Sequence, residues 1–349
     1  MQVAGRGEGS PESPRGVQWG VPSPTPRHTE PGPPLVDVAI NLAKSKDPVR
    51  GRLVASRLCM NGKSASFVRH IEIDLSGTRL AGTFTVGQAF GVIPPGTDDR
   101  GRPHKVRLYS MACPSWGEDG RGAVVSTTVK RVIDEFRPHS KGDDPDDHSL
   151  FLGVCSNWLC DAPLGAEILV TGPAGRSFLL PKDPEKYNFL FVAAGTGIAP
   201  FRGMVRELFE RPGGPIPGQV ALVMGSPYRT DLLYHEYLCG LDDTLPNFDY
   251  AQAISREEGP EGPGEYTHHL IHRRIDTYGP LLEQDNTLIY VCGLDGMQIG
   301  LYRTLAFHGL AGRYLRMPEE FASLDPNAWP PGRIKRSVKP TKNMFVEVY

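Results

Sequence analysis

Near residue 185 the chain changes its apolar period, and that change limits the folds open to it. Before it, apolar residues come in short β-like runs at 51–59, 67–75, 106–110, 124–132 and 167–171. Clusters such as Pro94-Pro95-Gly96 and Asp98-Asp99-Arg100-Gly101 separate them. Many short strands broken by turns predict an antiparallel barrel or sandwich. After it, apolar runs at 189–193, 220–224 and 287–292 each lead into a Gly-containing turn, and the first continues into a helical stretch over 199–210. Strands alternating with helices predict a parallel, doubly wound α/β sheet, whose ligands sit at the carboxyl ends of the strands. The expectation is two domains, 41–184 and 185–349, meeting near Pro181-Lys182-Asp183-Pro184. Residues 1–40, rich in Pro and Gly, are expected to be a disordered tail.

Composition narrows the function. Gly and Pro number 40 and 33, about a fifth of the chain, where about 12% is usual. Most of them lie beyond the tail, so loops and turns are abundant and a helical bundle is disfavoured. With 38 basic and 40 acidic residues the formal charge is −2, which gives no electrostatic footprint for nucleic acid or an anionic membrane. No apolar run reaches the length of a membrane span, so no membrane insertion is expected. The N-terminus lacks a secretory pattern, and Glu8, Glu12 and Glu30 among its arginines do not suit a transit peptide. Six scattered cysteines (Cys59, Cys113, Cys155, Cys160, Cys239, Cys292) form no C-x-x-C pair. A cytoplasmic location is expected, with no metal site and no iron–sulfur cluster.

Five short constellations carry chemistry. In Arg107-Leu108-Tyr109-Ser110 a guanidinium suits a pyrophosphate, a ring can stack on a planar cofactor, and a hydroxyl can bond a ring nitrogen. Gly153-Val154-Cys155-Ser156-Asn157 reads as a helix start offering N–H groups to an anion, with Ser156 or Asn157 as N-cap. Gly195-Thr196-Gly197-Ile198-Ala199-Pro200 follows an apolar strand directly, an arrangement that brings phosphate or ribose to a helix N-terminus. It is neither G-x-G-x-x-G nor a Walker loop. Cys292-Gly293-Leu294 ends another strand; Cys292 has no adjacent His to activate it, so it is not a covalent nucleophile. Val346-Glu347-Val348-Tyr349 is the fifth. Taken singly, each also fits an ordinary strand end or helix start.

In their order and spacing these segments make the stretch from about 41 to 349 resemble the plant-type ferredoxin–NADP+ reductase family. The lead-in Gly101-Arg102-Pro103-His104-Lys105 and the triplet Ser255-Arg256-Glu257 fall in the same order. The resemblance implies an antiparallel β-barrel that binds FAD, followed by a doubly wound parallel sheet that binds NADP(H). FAD would be held by Arg107, Leu108, Tyr109 and Ser110, by Thr128, Val129 and Lys130, by Gly153, Val154, Cys155 and Ser156, and by Thr196 and Tyr349. NADP would meet Ser110, Lys130, Thr196, Ser226, Pro227, Ser255, Arg256, Tyr266, Gly293, Leu294 and Glu347. Ser110, Cys292, Glu347 and Tyr349 would form the catalytic set, with Tyr349 covering the flavin face until nicotinamide displaces it. The implied activity is electron exchange between NADP(H) and ferredoxin or flavodoxin, by hydride transfer between nicotinamide C4 and flavin N5. The alternative is the reductase component of an oxygenase system.

Three departures from the family pattern stand out. Gly264 occupies the place of a Lys two positions before Tyr266, which leaves Arg256, with Arg229 as a substitute, for the 2′-phosphate. Asp134 stands where a Tyr packs on the FAD adenine, with Phe136 as a stand-in. The segment 312–342 is longer than usual and reads as an exposed excursion or a partner-docking surface.

Overall fold

The side chains of the N-terminal strands alternate between a covered and an open face, as a closed sheet requires. In the computed structural model, which describes residues 32–136, 144–258, 262 and 264–348, these strands are β1 (Val49–Leu58), β2 (Val68–Asp74), β3 (Ala89–Ile93), β4 (Arg107–Ser110) and β5 (Val124–Lys130). A hairpin of β6 (Ile133–Glu135) and β7 (Leu150–Leu152) and the helix α1 (Val154–Asp161) precede β8 (Glu167–Ala174). The six-stranded sheet runs β4-β3-β8-β1-β2-β5, every pair antiparallel. It closes on itself where Met111 bridges Thr127 and Ala112 N–H donates to the Ser126 carbonyl (2.8 Å). Leu53, Ile71, Ile73, Phe90, Val92, Ile168 and Val170 fill the interior, fully buried. Each such side chain contributes about 1.5–3 kcal/mol.

The tail assignment to residue 40 is too long. Leu35 bridges Pro181, Lys182 N–H donates to the Pro34 carbonyl, and Gln88 donates to the Ala39 carbonyl. Composition hid this because the stretch pairs with a segment far along the chain. Residues 1–31 lie outside the described residues.

The second sheet is built from β9 (Asn188–Ala194), β10 (Val220–Ser226), β11 (Phe248–Ile254), β12 (Thr287–Gly293) and β15 (Met344–Val348), the last preceded by a small ribbon of β13 (Leu315–Arg316) and β14 (Lys339–Pro340). Its order is β11-β10-β9-β12-β15, all parallel. The connecting helices are α2 (Ile198–Phe209), α3 (His235–Thr244), α4 (Thr267–Arg273), α5 (Ile275–Leu282) and α6 (Asp295–Phe307). Phe189, Phe191, Leu222 and Tyr290 point to one face, against α2 and α3. Leu190, Val192, Val223 and Val291 point to the other, against α4, α5 and α6. Coverage of both faces explains why these strands are continuous apolar runs. The barrel joins the α2 side, through Val68, Val86 and Phe178.

The segment 312–342, exposed along much of its length, is anchored to the sheet unit by a few buried side chains. Phe321, Trp329, Ile334 and Val338 are buried in the α6-side core, the Phe321 and Trp329 rings meet edge to face, and Arg303 of α6 bonds the Trp329 carbonyl. No helix among the described residues is long and apolar enough to cross a membrane.

Candidate functional site

Parallel strands deliver their carboxyl ends to one edge of the sheet, and the strand order grows outward in opposite senses from β9 and β12. β9 ends at Ala194 and turns through Gly195-Thr196-Gly197 into α2. Gly195 has φ 54°, which favours glycine. A Cβ on Gly197 would lie 2.2 Å from the Cys292 carbonyl oxygen, and one on Gly293 2.8 Å from that of Ala194. The ends of β9 and β12 therefore meet backbone on backbone. No side chain caps α2; its first residue, Ile198, donates its N–H to the carbonyls of Gly195 and Thr196 in the turn before it.

The ends of β10 and β11 are stitched together in the same way. Ser255 and Arg256 N–H groups donate to the carbonyls of Ser226 (3.0 Å) and Pro227 (2.9 Å). The exposed Arg256 guanidinium lies 6.0 Å above the Tyr228 ring. Tyr266, 60% exposed, stacks in parallel on His268. Gly264 has a steric reason: a Cβ there would lie 2.7 Å from the Ser255 backbone, so no lysine side chain fits. Arg229 stands nearby, its N–H donating to Glu257 (2.9 Å) and its guanidinium 3.5 Å from the same carboxylate.

Cys292 on β12 is in register with Glu347 on β15. Burial pushes the Cys292 thiol up to about 12, with the Glu347 charge adding to it. Burial alone raises Glu347 to about 7. The edge thus holds a carboxyl able to carry or release a proton at neutral pH, beside an inert thiol.

On the barrel, Tyr109 is half-buried and meets the Cys155 thiol, while Arg107 and Leu108 are exposed. Among the described residues, Arg107 donates to the backbone carbonyls of Lys105 and Val106. The Ser110 carbonyl accepts from Thr127 Oγ1 (2.8 Å). A Cβ on Gly153 would meet Ser156 Oγ at 2.7 Å and Val132 at 2.9 Å. Leu108, Ile133, Leu150, Phe151, Leu152 and Val154 expose apolar surface along this side. β5 lies against the Gly195–Gly197 turn, so the barrel face and the strand ends adjoin.

One expected side-chain role, the cap on α1, needs correction. Neither Ser156 nor Asn157 caps α1; Gly153 does, and both side chains fold back within the first turn. Ser156 Oγ donates to the Gly153 carbonyl and accepts from Val132 N–H, and the Asn157 amide donates to the Gly153 and Val132 carbonyls. Alternation along β5 sends Val129 into the barrel core and turns Thr128 toward the second sheet, where its hydroxyl bonds Tyr234. Lys130 is exposed at the strand end. Asp134 is exposed on β6. Tyr349 lies outside the described residues.

Pattern reading missed a polar cluster between the units, with His70 buried and Glu72, Glu118, Arg202, Arg206 and Tyr234 half-buried around it. His70, Glu72 and Glu118 stand close enough to hold a metal ion. Their carboxylates are already taken, Glu72 by Arg57 (2.5 Å) and Glu118 by Arg202 (2.5 Å) and Arg206 (2.6 Å), which argues against a cation there. These residues come from distant parts of the chain, so no local signal marks them.

A closed antiparallel barrel set against the strand ends of a parallel sheet, with glycine turns where the strand order changes sense, defines a nucleotide-binding oxidoreductase. Residues 191–301 match the family model of the oxidoreductase NAD-binding domain. A ferredoxin–NADP reductase of Spirulina is 36% identical over 76% of this chain and 88% of its own length. The root isozyme 1 of the Arabidopsis thaliana chloroplastic enzyme is 36% identical over 77% and 70%. A Plasmodium falciparum ferredoxin-NADP+ reductase structure with 2'P-AMP superposes with a TM-score of 0.65 at 21% identity, covering 90% of this chain and 100% of that one. The chain belongs to the ferredoxin–NADP reductase family.

Proposed function

We propose that the protein passes electrons between NADP(H) and a one-electron carrier protein, ferredoxin or flavodoxin, through a bound FAD. The observation that carries this reading is the convergence of Thr196, Ser226, Ser255, Arg256, Cys292 and Glu347 on one strand-end edge, beside the barrel face of β4 and β5.

The barrel face fits a flavin. It offers exposed apolar side chains, an arginine with no carboxylate partner among the described residues, and a glycine at the start of α1 where a side chain has no room. Arg107 would hold the pyrophosphate, aided by backbone N–H groups of Gly153, Val154 and Cys155. Tyr109 and Leu108 would pack on the ring system, with Ser110 at its edge. FAD supplies the redox chemistry, taking a hydride pair and releasing single electrons.

At the strand ends the residues position and select. Ser255 and Arg256 would grip the 2′-phosphate, Tyr266 would pack on the adenine, and Ser226 and Pro227 would line the ribose path. Thr196, Gly293 and Leu294 would seat the nicotinamide with water excluded. Glu347, half-buried and raised to about 7, would hold a proton at the site, and Tyr349 would act as the displaceable lid. The six cysteines, none in a disulfide, suit a reducing cytoplasm.

Spectra and steady-state kinetics test this. The purified protein should be yellow, and it should reduce ferricyanide and ferredoxin with NADPH far more efficiently than with NADH. A colourless protein would overturn the flavin assignment, and equal efficiency with NADH would overturn the 2′-phosphate assignment.

A further inference from the structure

Tyr234 sits in the loop between β10 and α3 with φ 56° and ψ 24°. A bulky residue holds that left-handed conformation at a cost of about 1–3 kcal/mol, and only where its surroundings impose it. Four contacts impose it here. Its N–H donates to the Cys59 carbonyl just past β1 (3.1 Å). Its hydroxyl hydrogen-bonds both Thr128 Oγ1 on β5 (2.6 Å) and His70 Nδ1 on β2 (2.9 Å). The Arg202 guanidinium of α2 covers its ring at 5.2 Å. Arg202 in turn bonds Glu118 (2.5 Å) and the Ala112 carbonyl (2.6 Å), both in the barrel unit. One side chain of the sheet unit is therefore tied to both strands of the β2–β5 pair, at the rung where His70 faces Thr128, and β5 is the strand that lies against the Gly195–Gly197 turn.

We propose that Tyr234 is a positioning residue for electron transfer: its hydroxyl, bonded to Thr128 and His70, sets the distance between the barrel face that carries the flavin and the strand ends that carry the nicotinamide. The proposal rests on the flavin reading above. Hydride passes only between atoms in near contact, and a misplacement of about 1 Å costs on the order of 100-fold in rate. Removing the hydroxyl leaves Thr128 and His70 buried with polar atoms unpaired. The ring, its Arg202 contact and the main-chain bond to Cys59 remain. What changes is the registration of the two units.

The test compares Tyr234→Phe with the wild-type protein in NADPH–ferricyanide kinetics, and follows the long-wavelength absorbance that arises when nicotinamide stacks on flavin. Tyr234→Phe should keep its FAD content, hold the NADPH KM within about twofold, lose about tenfold or more in kcat, and show a weaker stacking band. Thr128→Val breaks the same bond from the barrel side and should give the same split between KM and kcat. Tyr237→Phe, which removes a hydroxyl bonded to Glu210 within the sheet unit, should change none of these. An unaltered kcat and band in Tyr234→Phe overturns the proposal, as does loss of flavin from both Tyr234→Phe and Thr128→Val, which would leave the cluster a folding element only. A colourless wild type overturns the flavin reading and this proposal together, whereas a yellow wild type with an unaltered variant overturns this proposal alone.

Discussion

Glu347 shows how one residue couples the site to stability. Its carboxyl moves from the ordinary 4.5 to about 7 on folding, and burial is the cause. A raised acid stabilises the fold fully below pH 4.5, and that contribution is lost as pH rises through 7. At pH 8 the folded protein carries the charge at a cost of up to about 3 kcal/mol. Glu347→Gln should therefore raise the melting temperature relative to wild type at pH 8 and leave it nearly unchanged at pH 4.5, while lowering turnover. Calorimetry at the two pH values checks this; an equal difference at both would mean that Glu347 is not buried in its charged form. The position of Glu347 in the chain was legible from the terminal motif, but its perturbation was not, because that depends on β12 covering it.

At the scale of elements, the strand-to-turn junctions were the most legible part. Gly195, Gly197 and Gly293 stood out in the sequence because they follow apolar runs; Gly197 and Gly293 lie where β9 and β12 touch, and Gly195 makes the left-handed turn out of β9. Gly197→Ala would force a methyl group against the Cys292 carbonyl, with backbone on both sides and no flexible side chain to yield. The expected result is a loss of about 2 kcal/mol or more in urea unfolding, with weaker NADPH binding by titration. Unchanged values of both would show that the two strand ends can part. Less legible were the inner bonds of α1, where Ser156 and Asn157 looked like caps from their residue type alone. The backbone direction at Val132 decides that they turn inward, and no local pattern carries it. The apolar core of 312–342 was likewise masked by its Pro, Arg and Lys content.

At the scale of the whole molecule, the two units were legible from the change of period, but the joint between them was not. The Arg202–Glu118 pair is largely shielded from water and ties α2 to the barrel, with Arg206 on the second carboxylate oxygen. Removing Arg202 takes one of two cations from Glu118 and leaves Arg206 to hold the carboxylate. Arg202→Leu should cost about 1–3 kcal/mol and separate a single thermal transition into two, one for each unit. A single transition at the wild-type temperature would show that the pair does not join them.

The order of the parallel sheet has a kinetic consequence. β9 finds β10 after a short loop and helix, but its pairing with β12 joins residues about a hundred positions apart. Closing so long a stretch of chain is slow, so the seam between β9 and β12 should be among the last parts of the sheet to zip up. The nucleotide edge straddles that seam. A ligand bound across it would brake unfolding more than it speeds folding, and the protein's lifetime under heat or protease would then follow the supply of its own nucleotide.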